Sequence, residues 1–230
     1  MTSRMIIGRN NMAVVALQQG RHRDALGMLR TATMQLNELY QRGEDDDEKV
    51  VMRTGADGKA RVSCRSLRSC DIGTSGPAQS SNVDDDCLSM FRRAIVLSRR
   101  ETSLPVIASS VLYNLGLCEH VIGANLNISR KIVAALKFYK MSYQIIEENR
   151  HRCSFGDLLV LAVINNIADV SSTLQDSNKS RRWFKFLARI LGVANSNSRS
   201  LPALDEADYA FFYMNAMLHD GEMLNVAAAA

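Results

Sequence analysis

Apolar residues recur three or four positions apart along most of this chain, and the places where the rhythm breaks divide it. Ala25, Leu29, Ala32, Leu36 and Leu39 form one stripe, which predicts a helix over 22–42, preceded by a helix over 5–19. Gly20 supplies the turn between them and Gly43 the stop. A second pair is predicted over 103–122 and 129–149. Ser103 can cap its first helix, Pro105 suits the first turn, and Gly123 reads as the end. The second helix starts near Ser129 and buries Leu136, Tyr139, Tyr143 and Ile146. A third pair follows over 155–174 and 177–191, with Gly192 as its stop. A last helix over 205–219 carries Phe211, Phe212, Asn215 and Leu218.

Elsewhere helical spacing fails. Residues 43–86 hold an acidic run (Glu44 to Glu48), a basic Ser-rich stretch (Lys59 to Arg68) and a Gly/Ser/Pro stretch (Gly73 to Ser81). Such a segment buries too little apolar surface to offset its ordering entropy, so it reads as a disordered insertion. The acidic run lacks the glycine and closing glutamate of a calcium loop, and reads as solvated charge. Residues 88–97 read as an extended arm laid against the helices, because Ile95-Val96 is β-branched; a short helix is the other reading. Residues 195–202 form a polar linker and 225–230 a frayed tail. The chain thus divides into a first hairpin (5–42), the insertion (43–86), second and third hairpins of the same domain (87–193), and a linker, closing helix and tail (194–230).

The three pairs share a register of small and large residues. With Ala13, Gly116 and Ala168 set equivalent, Ala25 and Ser180 follow twelve residues on, and Leu29 and Phe184 four further. The middle pair reaches Ala135 and Tyr139 after seven extra residues, placed in a loop at 125–129. A small residue facing a small residue lets two helix backbones approach, and the bulky neighbour fills the adjacent groove. This pattern resembles the tetratricopeptide repeat, whose small and bulky positions recur about every 34 residues. The consensus Trp and closing Pro are missing, so the resemblance is to a degenerate member, over residues 6–193. It implies an all-α fold: about three stacked antiparallel hairpins in a TPR-like α-solenoid, with a C-terminal capping helix and the long disordered insertion. It also implies a concave groove, lined by the first helix of each pair, that binds a peptide or protein segment.

Composition narrows this little further. Aromatics are only 6% and Pro only three, against 47% hydrophobic residues, which favours helices over a sandwich or barrel. A net charge of +4 is too mild to imply nucleic acid. Five cysteines without a Cys-x-x-Cys pair suit a reducing compartment. The N-terminus shows no signal-peptide pattern, and no uninterrupted apolar run reaches the length of a membrane span. An intracellular protein, cytoplasmic or nuclear, is expected.

Catalytic motifs are not found: no phosphate-binding Gly-rich loop, no His-Glu-x-x-His, no Gly-x-Ser-x-Gly. Glu119-His120 lacks a second His one turn away and reads as helix surface. Cys118 and Cys153 have nothing to orient a Cys–His pair. No enzyme, metal site or cofactor is expected. The groove is the better candidate. Two places before each aligned small residue stand Asn11, Asn114 and Asn166. Asn10 and Asn165 precede them, and Leu117, His120 and Asp169 lie nearby. A column of amides can bond the backbone of an extended peptide. Alternatively these amides bridge helices or satisfy loop carbonyls. No cation stands at Asn10, Val14, Asn114, Ala162 or Asn166, so a carboxylate clamp is not expected. The expected function is therefore a non-catalytic interaction scaffold. The alternative is RNA or anion binding on the pairs Arg92-Arg93, Arg99-Arg100, Arg130-Lys131 and Arg181-Arg182.

Overall fold

The computed structural model describes residues 2–42, 68–71, 89–101, 103–196 and 204–219. These form helices α1 (Ser3–Gln18), α2 (His22–Gln41), α3 (Leu104–Asn125), α4 (Ser129–Asn149), α5 (Asp157–Thr173), α6 (Ser177–Ser196) and α7 (Glu206–His219), with two short strands, β1 (Arg68–Asp71) and β2 (Arg93–Val96). The fold is helical, as expected, and a two-stranded antiparallel ribbon crosses it. The insertion expected to be disordered over 43–86 lies outside the described residues except at Arg68–Asp71. There the expectation is corrected: these four residues pair with Arg93–Val96. The expected tail over 225–230 and most of the linker also lie outside the described residues.

Three turns of one kind join the helix pairs. Gly20, Asn127 and Gln175 each adopt positive φ, at 72°, 52° and 60°. After each, a backbone N–H reaches back five residues: Arg21 to Ala16, Ile128 to Gly123, Asp176 to Ser171. This closing motif satisfies carbonyls that a helix end would otherwise leave open. Gly20 and Gln175 both stand seven places after their aligned alanines. In the middle pair that place is Gly123, where the helix does not stop. It runs one turn further, to Asn125. The seven extra residues are therefore not a loop. They lengthen α3 and α4 by about one turn each. Gly123 is there for packing: a Cβ would lie 2.6 Å from Ile132 Cδ1. Gly192 also fails as a stop, since α6 continues to Ser196.

The close approach predicted at Gly116 is present. A Cβ there would meet the Tyr139 ring at 2.8 Å and the Ala135 carbonyl oxygen at 3.3 Å. Ala13, Ala25, Ala135, Ala168 and Ser180 are all buried. The stripe of α4 is centred on Ile132, Ala135, Tyr139, Ser142 and Ile146; Leu136 and Tyr143 lie at its margin.

Each helix packs on the next in chain order, and the first hairpin meets the second directly across the long excursion between them. The odd-numbered helices also touch one another in turn: α1 on α3, α3 on α5, α5 on α7. Helix α3 is buried on nearly every side. Contrary to expectation, it has the length and apolarity to cross a membrane, and 94% of that window is buried inside the protein, as in a core helix. Its buried Glu119 is held by Arg30 of α2 at 2.9 Å and Lys131 of α4 at 2.6 Å. Helix α7 covers the last pair with Phe212 and Ala216.

Candidate functional site

The four odd-numbered helices present one wall, and residues 89–97 run along it in extended form. Their direction is fixed: Leu97 lies at α1, Ile95 at α3, Phe91 at α5 and Ser89 between α5 and α7. Three asparagines each grip both backbone polar groups of one residue. Asn11 accepts from the Leu97 N–H at 2.9 Å and donates to its carbonyl at 2.8 Å. Asn114 does the same for Ile95, at 2.8 Å in both directions. Asn166 does it for Phe91, at 2.8 and 3.0 Å. Between them the Tyr113 hydroxyl donates to the Arg93 carbonyl at 3.0 Å. At the far end Asn165 and Asn215 both donate to the Ser89 carbonyl, at 2.7 and 2.9 Å.

The arithmetic of this ladder follows from element geometry. Six residues of strand span about 20 Å. Two helix-to-helix steps of about 8–10 Å cover the same distance. One asparagine per first helix therefore spans the extended backbone, with rungs four residues apart from α5 to α3 and two apart from α3 to α1. A carboxamide carries the same donor and acceptor as a peptide group, so each asparagine acts as one rung of a β-ladder. Only alternate residues (89, 91, 93, 95, 97) face the wall. Alternation turns residues 94 and 96 the other way, toward β1. Further bonds fix the amides themselves: Asn114 donates to Asn10 at 2.9 Å, Asn10 donates to the Ile95 carbonyl at 3.1 Å, and Asn215 donates to Asn165 at 2.9 Å.

Side chains are held as firmly as the backbone. Met90, Phe91, Ala94, Ile95 and Leu97 are buried. Phe91 packs against Phe212 and Phe211 of α7, with centroids 4.7 and 5.5 Å away. Arg93 pairs with Asp208 at 2.7 Å and Asp205 at 3.2 Å. Burying each large apolar side chain contributes about 1.5–3 kcal/mol. Four such residues match a typical stability margin of about 5–15 kcal/mol. The segment is thus part of the hydrophobic core that the odd-numbered helices share.

Beneath Ser89 lies a run of buried polar groups. Asn166 donates to the Tyr139 hydroxyl at 3.2 Å, which lies 3.4 Å from His120 Nδ1. His120 Nε2 is 3.4 Å from Asp169, whose other oxygen accepts from the Ser89 hydroxyl. Burial pushes the His120 pKa down to about 3, with the Arg92 charge adding to it. Burial raises Asp169 to about 6, against the Ser89 hydrogen bond and the Arg92 charge. At neutral pH the imidazole is therefore neutral and the carboxylate charged. His120 then donates through Nε2 and accepts through Nδ1. Burial also holds the Tyr139 and Tyr113 hydroxyls protonated.

Asn10, Asn11, Asn114, Asn165 and Asn166 thus converge on one extended segment, which belongs to this same chain. Neither open groove nor helix bridge describes them fully. Asp169 reaches the segment through Ser89. His120 is not helix surface, as expected, but buried beneath the ladder, and Leu117 sits in the core. Glu119 and His120 do not act as a pair, since each answers a different neighbour. Cys118 is buried with its thiol on the His22 carbonyl, and burial lifts its pKa to about 12. Of the basic pairs, Arg93 and Lys131 are engaged with carboxylates rather than solvated. Among the described residues no group of three His, Cys, Asp or Glu could hold a metal ion. Asp208 escaped the sequence reading; Asn215 entered it only as a residue of the closing helix and Arg93 only as half of a basic pair, while Tyr113 holds the place before Asn114 that Asn10 and Asn165 hold in the other pairs.

No protein-family model matches the chain, and no curated protein or solved structure matches it either. The fold and site by themselves define a helical protein whose alternate helices clasp an extended segment by its backbone.

Proposed function

We propose that this protein is a non-catalytic interaction scaffold of the degenerate TPR-like kind, and that its odd-helix wall receives an extended peptide. The observation that carries the reading is the bidentate grip of Asn11, Asn114 and Asn166 on Leu97, Ile95 and Phe91 of one extended segment. Such contacts read backbone, so they tolerate many sequences, while pockets between rungs add selectivity. The three αL turns and the small residues at Gly116 and Ala135 support the hairpin-repeat reading. Neutralised Arg93 and Lys131 weigh against an anion-binding edge.

The test uses a library of extended peptides and the full chain carrying Phe91→Ala, which loosens the resident segment. Capture of library members is expected. It should fall at least about tenfold when Asn114→Ala is added, because one rung is lost. A helical Phe91→Ala chain that captures no peptide would sink the reading.

A further inference from the structure

Resting on that reading, we infer that residues 89–97 are an exchangeable resident ligand, and that the partner is a segment of another protein carrying their pattern. The pattern is an aromatic, any residue, arginine, a small residue, a branched aliphatic, any residue, then leucine. It enters with its C-terminal end toward α1.

Each position has its own reason. The aromatic ring packs against both Phe211 and Phe212. The arginine meets two carboxylates, one of them buried. The branched aliphatic and the leucine occupy the fully enclosed places of Ile95 and Leu97, where α1 and α3 supply rungs. Of the intervening residues, Arg92 and Val96 are only partly buried, which leaves their identity open, while Ala94 is fully buried and calls for a small side chain. The segment is packed into the core along the odd-numbered helices yet adds no helix to the stack. It belongs to no hairpin, and the helices contact one another in sequence without it. A short link, residues 98–103, joins it to α3. A tethered occupant competes at an effective concentration of about millimolar, so the intact chain resists weak partners and yields only to a matching segment.

A labelled synthetic peptide of residues 89–98 tests this against wild type, Phe91→Ala and Arg93→Ala full chains. The arginine variant removes the carboxylate pairing without opening a core cavity, so it serves if the other loses helicity. Loosened chains should bind the peptide about tenfold or more tighter than a scrambled peptide, and about a hundredfold tighter than wild type does. A peptide with Arg93→Glu should lose most of that preference. Library capture with no preference for this pattern would overturn the inference and leave the scaffold reading standing. No peptide binding at all by helical loosened chains would overturn both. A stable dimer dissociated by the peptide would overturn the inference too, since a second copy would then be the occupant.

Discussion

At the scale of single residues, two glycines predict opposite signs. Gly27 lies in α2 with open space around it, and Gly116 lies against Tyr139. Gly27→Ala should raise stability by about 0.5–1 kcal/mol, the helix-propensity gain. Gly116→Ala earns the same gain but drives a methyl into a fully buried ring, and should lose about 1–3 kcal/mol net. Urea unfolding of the two variants checks the contrast. His120 and Asp169 make a second pair of opposites. Asp169 is raised from 3.8 to about 6, so the stability it contributes is full below pH 3.8 and lost as pH rises through 6. His120 is lowered from 6.5 to about 3, so its contribution is full above pH 6.5 and lost as pH falls toward 3. Near pH 5 the folded chain keeps one proton on Asp169, and the unfolded chain keeps one on His120. The slopes cancel, and this pair leaves stability nearly flat between about pH 4 and 6. Asp169→Asn removes one side of the balance. Its stability should then fall by about 1.4 kcal/mol for each pH unit of acidification in that window. Unfolding curves at pH 4, 5 and 6 decide it. Equal slopes in variant and wild type would show that the two groups do not oppose each other.

At the scale of elements, the helices were legible because they are local. Gly20 gave a turn and the Ala25-to-Leu39 stripe gave a face, both within a few residues. At Gly192 the space around the backbone is open and α6 simply continues through it. The stop at Gly123 misled because glycine serves two ends: it closes helices, and it lets helices touch. Only the position of Ile132 in space tells which. His120 misled for a related reason. Helix α3 is buried nearly all round, so it has no polar face from which exposure can be inferred. The extended arm was legible in Ile95-Val96, and the amide column in the register of the repeats. Their union was not, because Asn11 and Leu97 are joined across a long excursion of chain with no local signature. The union has a measurable consequence for residues 91–97. The N–H groups of Phe91, Ile95 and Leu97 should exchange with deuterium as slowly as those of α3, although only side chains cover them. In Asn114→Ala the Ile95 N–H loses its acceptor, at a cost of about 1–3 kcal/mol for a stranded buried group. Its exchange should quicken by about tenfold or more relative to Phe91. Fast exchange at Ile95 in the wild type would mean that the rung is not formed in solution.

For the molecule as a whole, the segment changes what kind of cooperativity the stack has. Helical hairpins that touch only their neighbours unfold as a nearest-neighbour chain, and the ends are free to fray first. Here a single strand reaches from α1 at Leu97 to α7 at Ser89 and is bonded to every odd helix between. Opening either end then means breaking rungs, so the first and last hairpins are coupled through a piece of chain that belongs to neither. Trp183, the only tryptophan, reports the last pair, where it meets the Tyr143 ring edge-on at 5.0 Å. Its fluorescence should follow the same urea transition as far-UV circular dichroism in the wild type, since coincident probes mark all-or-none unfolding. Removing the middle rungs with Asn114→Ala and Asn166→Ala cuts the coupling, together with the amide bonds to Asn10 and Tyr139, while leaving the apolar hairpin contacts in place. The two transitions should then separate, with a shallower denaturant slope, as the ends begin to unfold independently. Coincident transitions of unchanged slope in the double variant would show that the hairpins are coupled through their own contacts and that the strand is only a passenger.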